Sequence, residues 1–147
     1  MTKTASLWRS NRRAAREVWG ALPRARLIEL KHLTETFRFS ISLGEVQLLD
    51  RKWYVTHTGL LALAMRRRCA SIRVQQVHRF CDPLTNRWVF KATVHKSPGS
   101  ASFAGYGDAN PTNVSRLVRG AEMRVAETRA VNRALRKAYG IGLCSVD

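Results

Sequence analysis

Hydrophobic positions change their spacing several times along the chain, and each change marks an element. The opening stretch to Gly20 carries Leu7, Trp8, Val18 and Trp19 among arginines, which predicts a basic helix docked through those four residues. Pro23 opens a second helical stretch through Leu27, Ile28, Leu30 and Leu33. The period then falls to two. Phe37, Phe39, Ile41 and Leu43 alternate with Arg38, Ser40 and Ser42, predicting a half-buried strand that turns at Gly44-Glu45 and returns along Val46 to Leu49. Asp50-Arg51 breaks this pair, and Trp53-Tyr54-Val55 reads as another short strand.

Thr56 or Thr58 then caps a helix whose apolar positions are Leu60, Leu61, Leu63 and Met65, with Arg66, Arg67 and Arg68 at its end. Three further strands follow: Ile72 to Phe80 with a bulge, Trp88 to Val94, and Ala101 to Tyr106. Their connections, with turn chemistry at Asp82-Pro83, Asn86 and Ser97-Pro98-Gly99-Ser100, are too short for parallel crossovers, so they predict an antiparallel meander. Gly105-Tyr106-Gly107-Asp108 reads as a tight exit from the last strand. Asn110-Pro111 then reads as an N-cap and first helical residue, opening a long helix to Gly140.

On that helix Val114, Leu117, Val118, Ala121, Val125, Thr128, Val131, Leu135 and Tyr139 share one broad face. Arg129, Arg133, Arg136 and Lys137 fall to the other side, with Arg116 and Arg119 extending the basic surface earlier. Between them Ala126, Ala130 and Ala134 recur every fourth residue, a spacing that admits close approach of another backbone. The predicted fold class is α+β: N-terminal helices, a β-hairpin, and a meander packed on a long C-terminal helix. The 147 residues read as a single domain, with residues 1–36 helical and residues 37–147 in the order β-β-α-β-β-β-α.

Charge narrows the function. There are 26 Lys and Arg against 10 Asp and Glu, a formal net charge of +16, which favours a polyanionic partner. Nine of the basic residues precede residue 41, ten lie between 51 and 96, and seven between 116 and 137, so the folded domain itself is basic. Ser97 to Ser115 holds no Lys or Arg and is not expected to contact phosphate. No apolar run approaches the roughly 20 residues that span a bilayer, and no secretory signal opens the chain, so no membrane partner is expected. The arginine-rich start is also compatible with an organelle transit peptide, which leaves cytoplasm, nucleoid or organelle matrix as locations.

Cys69, Cys81 and Cys144 are odd in number and widely spaced, which argues for a reducing compartment, and His78 with Cys81 lacks a second ligand pair of zinc spacing. The glycines around Tyr106 carry neither Walker nor dinucleotide spacing. His57, His78 and His95 read as structural, and Asp82, Asp108 and Glu122 are too scattered in sequence to suggest a nuclease centre. No catalytic residue, metal or cofactor is therefore expected, and the protein is not expected to be an enzyme.

The order of elements resembles the annealing domain of the Rad-fifty-two family of recombination mediators and related phage and bacterial annealing proteins. The resemblance runs from about Phe37 to Asp147 and is carried by a hairpin with Tyr54, the helix led by Gly59, the meander ending in Gly105-Tyr106-Gly107, and Arg133-Ala134-Leu135-Arg136 in the long helix. It implies that Arg133 and Arg136 contact the backbone of single-stranded DNA in a groove, with Tyr54 close to it. The family's lysine before this motif is Asn132 here, and Lys137 or Arg129 is placed to supply the charge; one extra residue also separates Arg136 from Gly140. The site expected on this basis is Lys52, Tyr54, Arg129, Arg133, Arg136 and Lys137, with Tyr54 and Trp53 as stacking candidates. The implied function is ATP-independent annealing of single strands in homologous recombination and repair by a ring or helical homo-oligomer. An RNA-binding module without annealing activity is the alternative that charge alone also permits.

Overall fold

A computed structural model describes residues 2–146 and divides them into two compact units, residues 2–63 with 143–146, and residues 64–142. The first unit begins with α1 (Lys3–Trp19) and α2 (Arg24–Phe37). The Thr2 hydroxyl accepts the Ala5 N–H at the start of α1, and Gly20 at φ +75° ends it. Of the four apolar residues expected to dock α1, Leu7, Trp8 and Trp19 are half-buried and Val18 is exposed, while the fully buried residues are Asn11 and Ala15, so the docking face is centred on these two. Three hydrogen bonds of Asn11 explain the difference, since they favour burial of this polar side chain.

Asn11 also corrects the strand expected at Phe37 to Leu43. Phe37 ends α2, Arg38 is left-handed at φ +59°, and the following residues run through coil into a turn. Phe39 and Ile41 are buried as the alternation implied, but no strand pairs with them. Side chains satisfy their backbone instead: Asn11 Nδ2 donates to Phe39 O (2.7 Å), and Asn11 Oδ1 accepts Ile41 N–H (2.9 Å). Asn11 Nδ2 also donates to Thr34 Oγ1 (2.9 Å), and Glu45 Oε2 accepts Ser40 N–H (2.8 Å). Asn11→Ala should therefore strand a buried carbonyl and a buried N–H, at a cost of about 2 kcal/mol. Urea unfolding measures this; a change below ~0.5 kcal/mol would show that the segment is held by other means.

The hairpin lies one segment later than expected. β1 (Val46–Leu49) pairs antiparallel with β2 (Lys52–Thr56), joined by Asp50-Arg51. Both loop residues have positive φ, +48° and +64°, the signature of a type I′ turn whose twist matches the strands. A short parallel strand, β6 (Ser145–Val146), extends the sheet beside β2 and was not foreseen from sequence. Trp53 is buried, packs edge-on against Trp19 at 5.5 Å, and donates its indole N–H to Arg26 O, so it belongs to the core and not to a stacking surface. α3 (His57–Arg66) starts at Thr56, whose hydroxyl accepts the Gly59 N–H; Leu60 and Leu63 are buried, while Met65 is exposed contrary to expectation.

The second unit is a meander of β3 (Ser71–Gln76), β4 (Trp88–His95) and β5 (Ser102–Ala109), with sheet order β3-β4-β5. Residues 78–80 form a single helical turn after β3, where the bulged end of a strand was expected. α4 (Glu122–Tyr139) packs across all three strands, and Gly140 at φ +64° ends it. The α+β architecture with N-terminal helices, a hairpin, a meander and a long C-terminal helix is the one that the residue patterns predict.

Two boundaries of this unit differ. β5 continues through Gly105 and Gly107, so these glycines do not form a turn. Asn110-Pro111 opens a loop and not the long helix: Asn110 Oδ1 accepts Thr112 N–H two residues on, an Asx turn, a single 3-10 turn follows at Arg116–Val118, and Gly120 at φ +94° separates it from α4, which starts at Glu122. Leu117, expected on the buried face, is fully exposed in that loop, beside Arg116 and Arg119.

Glu122 stitches the loop to the start of α4. Its carboxylate is buried and accepts Gly120 N–H (3.1 Å) and Asn86 Nδ2 (2.6 Å), while Asn86 Oδ1 accepts the Trp88 indole N–H. The backbone N–H of Gly120 and its own N–H hold the carboxyl below its ordinary value of 4.5, with Asn86 and Arg119 adding to this against the opposing effect of burial. Because the folded value is depressed, the stabilisation is present above pH 4.5 and is lost as pH falls through the folded value. Acid unfolding of Glu122→Gln should accordingly show a weaker pH dependence below pH 4.5 than wild type, and superimposable profiles would contradict this role.

Candidate nucleic-acid interface

The basic stripe of α4 is organised by a seam of small residues. Gly105 and Gly107 have no side chain toward α4, and the helix backbone fills the space: a Cβ on Gly105 would lie 2.4 Å from Ala134 N, and one on Gly107 would lie 2.2 Å from both Ala126 O and Ala130 N. Ala126, Ala130 and Ala134, whose spacing suggested a close backbone approach, form the helix side of this seam and are fully buried.

With α4 this close, its long cationic side chains reach the free edge of β5. That strand pairs with β4 on one side only, so alternate carbonyls point outward. Arg129 Nη1 donates to Asp108 O (3.0 Å), Arg133 Nη1 to Tyr106 O (2.7 Å), and Lys137 Nζ to Ala104 O (2.8 Å). The match is geometric. Every fourth residue of a helix advances about 6 Å, close to the two-residue repeat of a strand. Three cations thus form a ladder along the edge, and they also block that edge against pairing with another strand.

Arg129 additionally donates to Asn113 Oδ1 and O, which ties the loop after β5 to α4. Arg133 and Lys137 remain exposed, and an ammonium or guanidinium has more N–H donors than the single bond each makes here. Arg136 differs from its neighbours. It is half-buried, and its buried Nε has no hydrogen-bond partner. At the end of α4 the Tyr139 phenol is pushed up to about 12, chiefly by burial and next by Cys69 beside it, so it is neutral in the physiological range.

The remaining expected residues lie in the first unit. Lys52 and Tyr54 occupy the face of β2 opposite Trp53 and Val55; Lys52 is exposed and Tyr54 half-buried. Sequence spacing had identified the cations but not their carbonyl partners, because edge position in a sheet is a property of strand order. No group of His, Cys, Asp or Glu with metal-site geometry occurs among the described residues, and no helix among them is long and apolar enough to cross a membrane. No family model matches the chain, and no curated protein or solved structure shows significant similarity to it.

Proposed function

We propose that this protein binds single-stranded DNA and anneals complementary strands without ATP, as part of homologous recombination and repair. The observation that carries this reading is the Arg129, Arg133 and Lys137 ladder in a chain of net charge +16. A row of evenly spaced cations neutralises successive phosphates, lowers the repulsion between two strands, and leaves bases free to pair. Arg136 on the same helix is a further proposed contact of the ladder surface, Lys52 and Tyr54 are proposed DNA contacts of the first unit taken by itself, and a ring or helical homo-oligomer would extend the ladder surface from one subunit to the next. The reading fits an intracellular, DNA-associated location.

A second reading rests on the same bonds: the cations guard the β5 edge and serve no ligand. Titration of a fluorescent oligothymidine at increasing salt separates the two. The annealing reading predicts tight binding at low salt and a logarithmic slope of about 0.7 per phosphate contact. Edge protection alone predicts no saturable binding.

A further inference from the structure

The meander has a second face. Alternation puts Phe90, Ala92, Gly105 and Gly107 on the side of α4, so Val89, Lys91, Tyr106 and Asp108 lie on the other. A groove of about 570 Å³ opens there, lined by Arg79, Phe80, Arg87, Val89, Tyr106 and Asp108. Two aromatic rings stand in it half exposed, Phe80 at 53% and Tyr106 at 52%, although both are large enough to favour burial. Each has a cation beside its ring. The Arg79 guanidinium is 4.6 Å from the Phe80 centroid, and Lys91 Nζ is 5.9 Å from that of Tyr106.

The acids of the groove are engaged within the protein. Asp82 accepts Leu84 N–H and the Thr85 hydroxyl, and Asp108 accepts Asn113 Nδ2. Aromatic faces interleaved with Arg and Lys suit a ligand that alternates flat rings with anions, which is single-stranded nucleic acid. Tyr106 also joins this face to the cation ladder, because its carbonyl is the acceptor of Arg133.

We infer that the open face of the meander is a base-stacking site: a DNA strand whose phosphates follow Arg129, Arg133 and Lys137 turns bases over the β5 edge onto Tyr106 and Phe80. This rests on the proposed single-strand binding and adds where the bases go. Stacking uses the faces of the bases and leaves their pairing edges available, so it is compatible with annealing. It also gives the Ser97–Ser115 interval, which has no Lys or Arg, a role in contacting bases and not phosphates.

The test compares an oligothymidine with an abasic oligonucleotide of equal length, on wild type, Phe80→Ala/Tyr106→Ala and Arg133→Ala. The aromatic double variant should bind oligothymidine about fivefold or more weakly and the abasic strand as wild type does. Arg133→Ala should weaken both strands by the same factor. Unchanged oligothymidine binding by the aromatic variant, or equal losses on both strands, would overturn the stacking site while leaving the ladder intact. Absence of binding of either strand by wild type would instead remove the function on which it rests. A measurement independent of variant folding is the fluorescence of a 2-aminopurine oligonucleotide on wild type: quenching on binding is expected, and unquenched fluorescence in the bound state contradicts the inference.

Discussion

Gly107→Val should destabilise the protein by about 3 kcal/mol or more, the largest effect expected from a single substitution. A Cβ at this position meets Ala126 O and Ala130 N at 2.2 Å, and both are backbone atoms of α4. A side-chain rotation cannot relieve that contact. The helix must lift from the sheet, opening the seam along Ala126, Ala130 and Ala134, and valine's preference for extended backbone does not compensate. Because the lifted helix also carries the ladder, the partners Asp108 O, Tyr106 O and Ala104 O should lose their cations together. Thermal or urea unfolding tests this. A wild-type midpoint would mean that α4 and β5 are not packed as closely as their backbones indicate.

The triple variant Arg129→Ala/Arg133→Ala/Lys137→Ala should separate binding from stability. The three exposed edge carbonyls, together with Asn113 O and Oδ1 that Arg129 also holds, return to water, which costs about 1 kcal/mol because water replaces the lost donors. Affinity for single-stranded DNA should fall on the order of a hundredfold, taking ~1 kcal/mol per phosphate contact. The salt slope should drop by about 2, three contacts at about 0.7 each. A variant that unfolds but, when folded, binds as wild type would assign the ladder to edge protection alone. A variant destabilised by only about 1 kcal/mol, with weak binding and a shallow salt slope, fits the proposed function.

Much of this architecture was legible because it is written in local periodicity. Among the meander strands Trp88 to Val94 alternates cleanly, and the turn residues between the strands leave no room for crossovers. The alanine spacing on α4 announced a close neighbour before the neighbour was known. What escaped was decided by side chains distant in sequence. Phe37 to Leu43 has the period of a strand, yet Asn11, 30 residues before Ile41, satisfies the backbone that a partner strand would have taken. Asn110-Pro111 has the composition of a helix start, but an Asx turn and Gly120 defer α4 to Glu122.

The candidate site divides in the same way. Arg129, Arg133 and Lys137 were visible as a stripe, since helical spacing alone groups them. Their engagement with β5 carbonyls depends on β5 being an edge strand, and strand order is not encoded in any short stretch. Trp53, attractive as an aromatic beside Tyr54, is removed from the site by its pairing with Trp19 and its bond to Arg26.

The most direct test of the central claim is the annealing rate of two complementary labelled oligonucleotides, without ATP or metal, with wild type and with the triple ladder variant. The account predicts acceleration by wild type over the spontaneous rate and its loss in the variant. Tight strand binding by wild type without any acceleration would contradict it and leave a plain nucleic-acid-binding module.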